Sequence, residues 1–441
     1  MSDRGTGVIG SGAAGLAAAW RLASRGRRVV LYERRELPGG LMRSDVLEGA
    51  VVDVGAQMFG STYVSAIRLA REVGVGSMLV RAPGRDALWR KGRPHGFTYG
   101  SVASMAASAA LPAALKLRLL SKYLPFIATR CRGLDANDPA GTGGERHDDE
   151  SIAEWGVREM GDDFVEYMAY PFLGAYHAAE PERTSAAFYH ALARVGMDVE
   201  LYAMMGGTGS LAFAVVDAIE TRGGRFAAGR AVERVEAGPD GVALHFENGD
   251  TAEHDGVVVA VPAAAAAVLL AGSSEVREWL TRVETTPFLS VGVVTDEPLR
   301  GDWFGLGFPR TEAPGDRLVV ACLEAEKAAG IVPAGLGLVV AIPAPARAPA
   351  LLAGPAEAIP GEILPGLDHA FGDVSRHALV VKVWRHPEGH TRFWPGYLRH
   401  LQAFREDWLP ARVALAGDYR VAPTLEGAVV SGERAADRLL G

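Results

Sequence analysis

The stretch TGVIGSGAAGLAAAWRLASRGRRVVLYE, residues 6–33, decides the fold. It reads as a short apolar strand, a glycine loop, a helix from about Ala13 to Ser24, and a second apolar strand that ends at Glu33. The loop carries three glycines in the spacing G-x-G-x-x-G, namely Gly10, Gly12 and Gly15. In this spacing the first glycine permits a tight turn, the second lets backbone approach a pyrophosphate, and the third lets helix and strand pack closely. The pattern predicts a dinucleotide site with phosphates at the helix N-terminus and Glu33 on ribose hydroxyls.

The bulk composition fits an enzyme with two domains. The chain has 441 residues, and this length is too great for one ordinary hydrophobic core. Of its residues, 49% are hydrophobic and 22% are charged, which is ordinary for a globular enzyme. Its net charge of -8 argues against a nucleic-acid partner. Two cysteines, Cys131 and Cys322, are too few for a disulfide framework, and no secretory signal opens the chain. We therefore expect a cytoplasmic protein.

The segment 102–132 has two interpretations. Basic residues alternate there with leucines and aromatic residues, which suits an amphipathic segment lying on a membrane surface. It also suits a pair of helices that cover a substrate cavity. A spanning helix is not expected, because no window offers 18 uninterrupted apolar residues.

The remaining patterns predict a mixed α/β chain. Residues 61–195 read as mostly helical, with a polar insert at 135–149 that we expect to be a mobile surface loop. Its His147, Asp148 and Asp149 are expected to be solvated rather than metal-binding. Strands are predicted near 231–235 and 242–246, and the apolar run at 256–261 predicts a buried strand followed by a helix after Pro262. Alternating strands and turns over 285–344 indicate a second sheet.

No metal site is expected. The pair His386 and His390 spans a proline and a glycine, so the two imidazoles cannot share one helix face. His177 and His190 could line a pocket, although packed histidines are the ordinary interpretation.

The order of the glycine-rich motifs resembles one enzyme superfamily. After Glu33 come Gly39-Gly40 with Arg43, then DVGAQMFG at 53–60, a mid-chain MMGGTGSLAF, AVERV, VVVAVP, and the closing AGDYRVAPTLEGAVVSG at 416–432. This order resembles the FAD-dependent superfamily of protoporphyrinogen oxidases, carotenoid desaturases and amine oxidases, and is most similar to its protoporphyrinogen oxidase and desaturase branch. The resemblance implies a Rossmann-like, glutathione-reductase-like FAD domain made of residues 1–60, 200–272 and 385–441. An inserted α+β substrate domain would comprise residues 61–199 and 273–384.

The resemblance also implies site residues. The cofactor-binding set would be Gly10, Gly12, Ala13, Ala14, Gly15, Glu33, Arg34, Gly40, Arg43, Gly55, Ala56, Gln57, Met58, Val232, Gly417, Asp418, Glu426, Gly427, Ala428 and Val429. Val232 would meet adenine through its backbone, Gly417 and Asp418 would hold phosphate and ribityl hydroxyls, and the backbone of 427–429 would face the pyrimidine edge of the flavin. The FAD is expected to be noncovalent, since neither cysteine lies in the closing segment. Pocket candidates are Gln57, Met58, Trp394 and Thr424.

The resemblance implies a protoporphyrinogen oxidase-like or desaturase-like reaction, in which hydride is removed from a C–H bond of an apolar substrate. The expected substrates are cyclic, tetrapyrrole-like or polyene-like, and the electron acceptor is dioxygen or another compound. The flavin supplies this chemistry, so dedicated acid–base side chains are not required. Amine oxidases commonly carry an aromatic residue where this chain has Thr424, and a lysine in a strand that here reads TTPFLSVGVVTDEPL. An amine or amino-acid oxidase and a non-redox flavin mutase stay as alternatives, and dioxygen uptake separates the mutase from an oxidase.

Overall fold

The computed structural model describes residues 4–197 and 199–441. The strands, β1 to β20 in chain order, are Thr6–Ile9, Val29–Tyr32, Ser44–Leu47, Ala50–Asp53, Phe59–Gly60, Leu79–Arg81, Arg85–Arg90, Arg93–Thr98, Leu201–Met204, Arg225–Ala227, Val232–Ala237, Val242–Phe246, Thr251–His254, Gly256–Val259, Thr285–Thr295, Gly305–Gly307, Leu318–Leu323, Gly337–Pro343, Ala378–Thr391 and Val413–Leu415. The α-helices, α1 to α17, are Ala13–Ser24, Val64–Glu72, Val102–Ala107, Ala113–Arg118, Leu124–Arg130, Ile152–Met160, Asp162–Phe164, Tyr170–His177, Ala186–Val195, Gly209–Thr221, Ala263–Leu269, Ser274–Thr281, Ala348–Ala353, Ile359–Phe371, Val374–His377, Tyr397–Gln402 and Leu425–Leu440.

A five-stranded parallel sheet forms one layer of the molecule, in the order β10-β2-β1-β14-β20. Its strands come from three stretches of the chain that lie far apart in sequence. β1 and β14 are buried along their whole length, as a parallel strand covered on both faces must be. The predicted α/β class with a parallel sheet is confirmed, and α1 spans the residues predicted for it.

Helices α1 and α17 pack side by side on this sheet. Ala14 and Ala18 of α1 and Val429 and Ala436 of α17 belong to one buried core. A methyl group on Gly432 would collide with the carbonyl oxygen of Ala14, so the absence of a side chain there allows the two backbones to meet. The first and last helices of the chain are thereby joined beside the glycine loop.

The second sheet has seven strands in the order β19-β15-β18-β17-β16-β7-β8. It is antiparallel apart from the parallel pair β16–β7. α14 covers one face, where Ile359, Ile363 and Leu367 are buried with Leu289 and Val291 of β15. The predicted second sheet over 285–344 is thus present, and it also includes strands from before and after that range.

The prediction of a mostly helical segment over 61–195 is wrong for residues 79–98. That stretch contains β6, β7 and β8, and the β7–β8 hairpin extends the seven-stranded sheet. The two residues at its turn, Lys91 and Gly92, have φ of 53° and 73°. Positive φ at both positions is the geometry of a type I′ hairpin turn, whose usual signal is Asn-Gly or Asp-Gly rather than Lys-Gly.

Within the polar insert at 135–149, the prediction of a solvated Asp148 is wrong. Asp148 is fully buried, and its carboxylate accepts hydrogen bonds from the Ser185 hydroxyl at 2.5 Å and from the Leu398 amide at 2.8 Å. The His147 ring lies edge-on to Phe126, with ring centres 6.0 Å apart. The partners of Asp148 stand far along the chain, so local composition gave no sign of them.

The domain boundaries inferred from the resemblance stay predictions, with one adjustment. The boundary placed at residue 385 falls inside β19, a continuous strand of the seven-stranded sheet. A boundary after Thr391 would leave that strand whole.

Three short helices, α3 to α5, occupy the segment 102–132. Leu115, Tyr123 and Ile127 turn inward to a helical core, while Leu117 and Leu120 are exposed. Over residues 4–197 and 199–441, none of the helices combines the length and apolar character that crossing a bilayer requires.

Candidate active site

The glycine loop forms an open cradle at the N-terminus of α1. Gly12 is the N-cap residue of that helix, has no side-chain cap, and would have open space around an added methyl group. A methyl group on Gly10 would meet the Ala260 carbonyl, and one on Gly15 would collide with the Gly10 carbonyl. Gly10 has φ of 96°, which favours glycine. The N-terminus of this twelve-residue helix has no side-chain cap, so its backbone N–H groups are suited to binding a phosphate group.

Glu33 closes this cradle from the end of β2. Its carboxylate accepts hydrogen bonds from the Ser11 amide at 3.0 Å and the Ser11 hydroxyl at 2.6 Å. Its other oxygen accepts from the Arg35 amide at 3.0 Å. Glu33 is buried, and Ser11 stands inside the glycine loop, so the acid and the loop hold each other in place.

Two further loops are joined to the glycine loop by backbone hydrogen bonds. The Gly39 amide donates to Ser11 at 2.9 Å, and the Ala56 amide donates to Leu41 at 2.8 Å. A methyl group on Gly40 would approach Gly12 Cα to 3.2 Å. The structure therefore brings together the predicted cofactor segments at 10–15, 39–43 and 53–58, with Gly55, Ala56, Gln57 and Met58 all half-buried.

Three arginines stand near the same loops. Arg34 and Arg35 follow Glu33 and are exposed, and Arg43 is half-buried. Desolvation lowers the pKa of Arg35, and the neighbouring charges of Arg43 and Arg34 lower it further. A concentration of positive charge beside a helix N-terminus favours a bound anion, which fits the phosphates of a dinucleotide.

Asp53 anchors the loop 53–58 from behind. One carboxylate oxygen accepts hydrogen bonds from the Thr208 amide at 2.7 Å, the Thr208 hydroxyl at 3.0 Å and the Ser44 hydroxyl at 2.6 Å. The other oxygen pairs with the ammonium of Lys327. The Thr208 hydroxyl also lies 3.0 Å from the Ala56 carbonyl. The mid-chain glycine turn is thereby fixed to the loop that the resemblance places beside the flavin.

Lys327 and Glu324 are buried charges that sequence reasoning missed. Lys327 is 1% exposed, Asp53 2% and Glu324 0%, so none of the three charges is solvated. Desolvation lowers the pKa of Lys327, but the carboxylates of Asp53 and Glu324 outweigh it and hold the pKa above its usual value. Burial raises the pKa of Glu324 to about 7, and Lys327 opposes this shift. The ammonium of Lys327 is thus ion-paired with the carboxylates of Asp53 and Glu324.

The closing segment approaches the glycine loop through α17. The Gly417 amide donates to the Ser431 hydroxyl at 3.0 Å. Asp418 accepts from the Thr391 hydroxyl and from the Tyr419 amide, both at 2.8 Å. Burial raises the pKa of Asp418, and the hydrogen bonds from Thr391 and Tyr419 oppose the rise. These contacts fix the backbone of residues 417–419 between β20 and α17.

The start of α17 uses its own groups for capping. The Thr424 hydroxyl accepts from the Gly427 amide at 2.9 Å, and the Ala428 amide donates to the Thr424 carbonyl at 3.0 Å. The resemblance implies that these two amide groups contact the pyrimidine edge of the flavin, but both already donate to Thr424. The positive end of the helix dipole of α17 can still stabilise negative charge on the flavin. The Glu426 carboxylate accepts from the amides of Ser65 and Ala66 at 2.7 and 2.8 Å. It caps α2, so only its backbone stays a candidate cofactor contact.

Val232 and Trp394 lie in the same core but away from Met58. The Arg230 amide, two residues before Val232, donates to the Glu33 carbonyl at 2.8 Å, which brings β11 to the Glu33 end of the site. The Trp394 ring packs on Tyr397, with ring centres 5.5 Å apart, in the core that also includes Val232. Met58 packs on a different core. These contacts do not unite Trp394 with Met58 in one pocket.

Three histidines, which we call the histidine cluster, are His177, His386 and His390. The ring centres of His177 and His390 are 6.2 Å apart, and Phe288 lies 5.5 Å from His386 and 5.4 Å from His390. His177 contacts the backbone of Pro423, and His386 contacts the backbone of Val54. The cluster thus lies between the closing segment and the loop 53–58, which the spacing of His386 and His390 in the sequence did not indicate.

Comparison with known proteins assigns the family. A family model described as flavin-containing amine oxidoreductase matches residues 13–440. The chain belongs to this family. Membership confirms the predicted superfamily, the enzyme class and FAD as the cofactor.

The chain spans about a third of the length of the curated relatives that it matches. It is 26% identical over 187 residues to protoporphyrinogen oxidase 2 of Arabidopsis thaliana, covering 42% of this chain and 35% of the relative. It is 28% identical over 182 residues to coproporphyrinogen III oxidase of Propionibacterium freudenreichii subsp. freudenreichii, covering 39% of this chain and 31% of the relative. The crystal structure of cyclohexylamine oxidase from Brevibacterium oxydans IH-35A superimposes with a TM-score of 0.77 at 18% identity, covering 99% of this chain and 98% of that one. The last likeness speaks for the fold alone.

The residues present fit an FAD. The open cradle at Gly12, the buried Glu33 and the unfilled N-terminus of α1 suit a dinucleotide pyrophosphate and ribose. When bound, the flavin supplies the capacity to accept a hydride from a C–H bond. The chain supplies the cradle, the positive charge beside it and the fixed loops around it.

Proposed function

We propose that this chain is an FAD-dependent oxidoreductase that removes hydride from a C–H bond of an apolar, cyclic substrate of the porphyrinogen type. The observation that carries the proposal is the role of Thr424. At the position where amine oxidases commonly place an aromatic residue, this side chain is an N-cap whose hydroxyl bonds the Gly427 amide at 2.9 Å. A small capping residue leaves room where an aromatic wall would narrow the site.

The proposal is supported by the absence of a lysine from β15. Lys327, the buried lysine nearest in the chain, is held by Asp53 and Glu324 and has no proton-accepting role in this arrangement. The protoporphyrinogen and coproporphyrinogen oxidases among the relatives agree with a cyclic tetrapyrrole-like substrate.

We further propose that the FAD is noncovalent, because Cys131 and Cys322 are buried free thiols outside the closing segment. Acid precipitation should therefore release all of the yellow colour into the supernatant. Colour kept by the pellet would contradict a noncovalent cofactor.

Steady-state turnover in air tests the substrate class. We expect coproporphyrinogen III to give porphyrin fluorescence together with dioxygen uptake, faster than the spontaneous oxidation measured with heat-inactivated protein. A primary amine such as benzylamine should give little uptake. Reduction of the bound flavin without dioxygen uptake would favour another electron acceptor, and turnover of benzylamine alone would overturn the proposed substrate class.

A further inference from the structure

One continuous helix runs over residues 113–130 at the surface of the molecule. It consists of α4, a π-helical stretch at Leu119–Tyr123 and α5, which follow one another without a break. Leu115 and Ile127 are buried in the helical core that also contains Trp155. These contacts hold one face of the helix against the molecule and leave its outer side in contact with solvent.

The outer side of this helix carries an exposed apolar stripe. Ala113, Leu117 and Leu120 are exposed, and the two leucines retain 68% and 49% of their accessible surface. Residues three and four positions apart lie next to each other on a helix, so these three side chains form one stripe. Single exposed apolar residues are ordinary, but adjacent leucines on a helix that already buries another face indicate a contact surface. The charges around the stripe decide which partner suits it.

The sequence around the stripe has an excess of positive charge. No acidic residue occurs between Asp86 and Asp135, although the whole chain has a net charge of -8. The same stretch contains eight basic residues, namely Arg90, Lys91, Arg93, Lys116, Arg118, Lys122, Arg130 and Arg132. A local excess of this kind favours an anionic partner.

Five of these basic side chains are exposed and lack an ion-pair partner among residues 4–197 and 199–441, namely Lys91, Arg93, Lys122, Arg130 and Arg132. Two acids approach this side of the molecule. The Glu312 carboxylate accepts a hydrogen bond from the Lys91 amide, and Asp162 follows Gly161, which Arg118 contacts. Neither acid pairs with the five cations, so their charge is available to a partner.

The hairpin β7–β8 adds its cations to the start of the helix. The Arg90 guanidinium donates to the Ala109 carbonyl at 3.0 Å, and the Lys116 ammonium donates to the neighbouring Ser108 carbonyl. These two bonds place the turn with Lys91 near the first turn of the helix. The exposed cations therefore stand at both ends of the helix, with the apolar stripe between them.

We propose that the outer side of the helix 113–130, together with the hairpin turn, docks on a membrane surface of anionic lipid. Headgroup phosphates pair with the exposed cations, and Leu117 and Leu120 enter the boundary between headgroups and acyl chains. A second copy of this chain suits the surface less well, because a two-fold interface would bring the same cations of both copies together. This inference goes beyond the proposed function and does not depend on it.

Cosedimentation of the FAD-bound protein with vesicles tests the proposal. One set of vesicles contains equal parts of phosphatidylglycerol and phosphatidylcholine, and the other contains phosphatidylcholine alone. We expect strong binding to the anionic vesicles and much weaker binding to the neutral ones. Binding should fall steeply as salt is added, because the screening length shortens to about 3 Å at 1 M ionic strength.

Matched charge variants show whether the binding belongs to this surface. The first variant combines three changes on and just after the helix, Lys122→Gln, Arg130→Gln and Arg132→Gln. Each cation near an anionic surface strengthens binding by about fivefold, so this variant should bind about a hundredfold more weakly. The control removes three exposed arginines in the turn after α1 through Arg25→Gln, Arg27→Gln and Arg28→Gln, and should bind nearly as the unmodified protein does. Unchanged FAD absorbance and unfolding midpoints verify that both variants are folded.

A fluorescent label shows which side chains enter the membrane. Both native cysteines, Cys131 and Cys322, are buried, so the variant Leu117→Cys can be labelled at the surface with an environment-sensitive dye. Its emission should shift to shorter wavelength when anionic vesicles are added. The control Val268→Cys carries the same label on α11, at an apolar position that is 66% exposed, and its emission should not shift.

No binding to the anionic vesicles, equal binding to both kinds of vesicle, equal losses in the two charge variants or an unshifted label at residue 117 would each overturn the proposal. Sedimentation velocity without lipid identifies the other occupant. A dimer that Leu117→Gln dissociates, in a protein that does not bind vesicles, would assign this surface to a second copy and also overturn the proposal. None of these measurements uses substrate, so the proposed function is judged separately.

Discussion

At the scale of single residues, Glu33 links the cofactor site to the glycine loop. Its carboxylate accepts hydrogen bonds from both the amide and the hydroxyl of Ser11, so the acid orders the loop that is predicted to bind the pyrophosphate, and the sequence also predicts that it binds the ribose. Hydrogen bonds to a charged group contribute about 1.5–3 kcal/mol each. One residue therefore influences FAD affinity through two kinds of contact.

We predict that Glu33→Ala lowers FAD affinity at least about tenfold, because a charged partner of the ribose and the contacts to Ser11 are lost together. Titration of the apoprotein with FAD, followed by flavin fluorescence, measures the change. Glu36→Ala, an exposed acid three positions later, is the matched control. An unchanged dissociation constant for Glu33→Ala would make Glu33 a structural residue only.

Lys327 is expected to affect the stability of the fold, because its charge is buried together with two carboxylates. Removing one partner of a buried ion pair leaves an uncompensated charge and costs about 3–5 kcal/mol. We predict that Lys327→Met lowers the free energy of unfolding by about that amount, measured by urea denaturation. Lys122→Met, at an exposed position, should change it little. Equal effects of the two substitutions would contradict a structural role for the buried pair.

At the scale of elements, the contact between α1 and α17 joins the two ends of the chain beside the cofactor site. Gly432 sits where the two helix backbones meet, and an added methyl group has no space. Overpacking of this kind costs about 1–3 kcal/mol. Because the N-terminus of α1 is predicted to bind the phosphates, we expect a shift of this helix to change the cofactor site as well.

We predict that Gly432→Ala lowers both the free energy of unfolding, by about 1–3 kcal/mol, and the affinity for FAD. Gly361→Ala makes the same change at an exposed helical glycine with open space around it, and should stabilise the protein by about 0.5–1 kcal/mol. Denaturation curves of the two variants provide the comparison. A Gly432→Ala protein with unchanged stability and FAD affinity would contradict the prediction, because it would show that α1 and α17 can accommodate a methyl group between them.

Elements encoded by adjacent residues were predictable, whereas contacts between distant residues were not. The glycine loop, α1, β2 and Glu33 lie within 28 contiguous residues of the sequence, and local pattern sufficed for them. The β7–β8 hairpin was missed because its turn uses Lys91-Gly92. The pairing of Asp53 with Lys327 spans 274 positions, and no local pattern records it.

At the scale of the whole molecule, buried neutral histidines should make the protein sensitive to acid. Burial lowers the pKa of six of them: to about 3 for His177 and His190, to about 4 for His386, His390 and His400, and below its usual value for His254. The unfolded chain binds protons on these rings below about 6.5, while the folded state does not. Their contribution is therefore complete above pH 6.5 and is lost as the pH falls.

We predict that the free energy of unfolding decreases steadily from pH 6.5 down to about 4. Buried carboxyl groups act in the opposite direction, because a raised pKa removes stability as the pH rises: burial raises the pKa of Glu324 to about 7 and that of Asp86 to about 6, and also raises the pKa of Asp148, Asp418 and Glu426. We expect the histidines to outweigh them, because the shifts of His177 and His190 are larger than those of Glu324 and Asp86. Urea denaturation at several pH values measures the net slope. Stability that is constant or rises on acidification over this range would contradict the neutral, buried state of the histidines.

Anaerobic stopped-flow reduction tests the proposed substrate class most directly. It follows hydride transfer from the substrate to the flavin in the absence of dioxygen, which would otherwise reoxidise the flavin. The FAD-bound protein is mixed in parallel with a porphyrinogen, another cyclic C–H donor and a primary amine. The account predicts that the flavin absorbance bleaches faster with the porphyrinogen and the cyclic donor than with the amine. Rapid bleaching by the amine, with none by the apolar donors, would contradict the account and favour an amine oxidase.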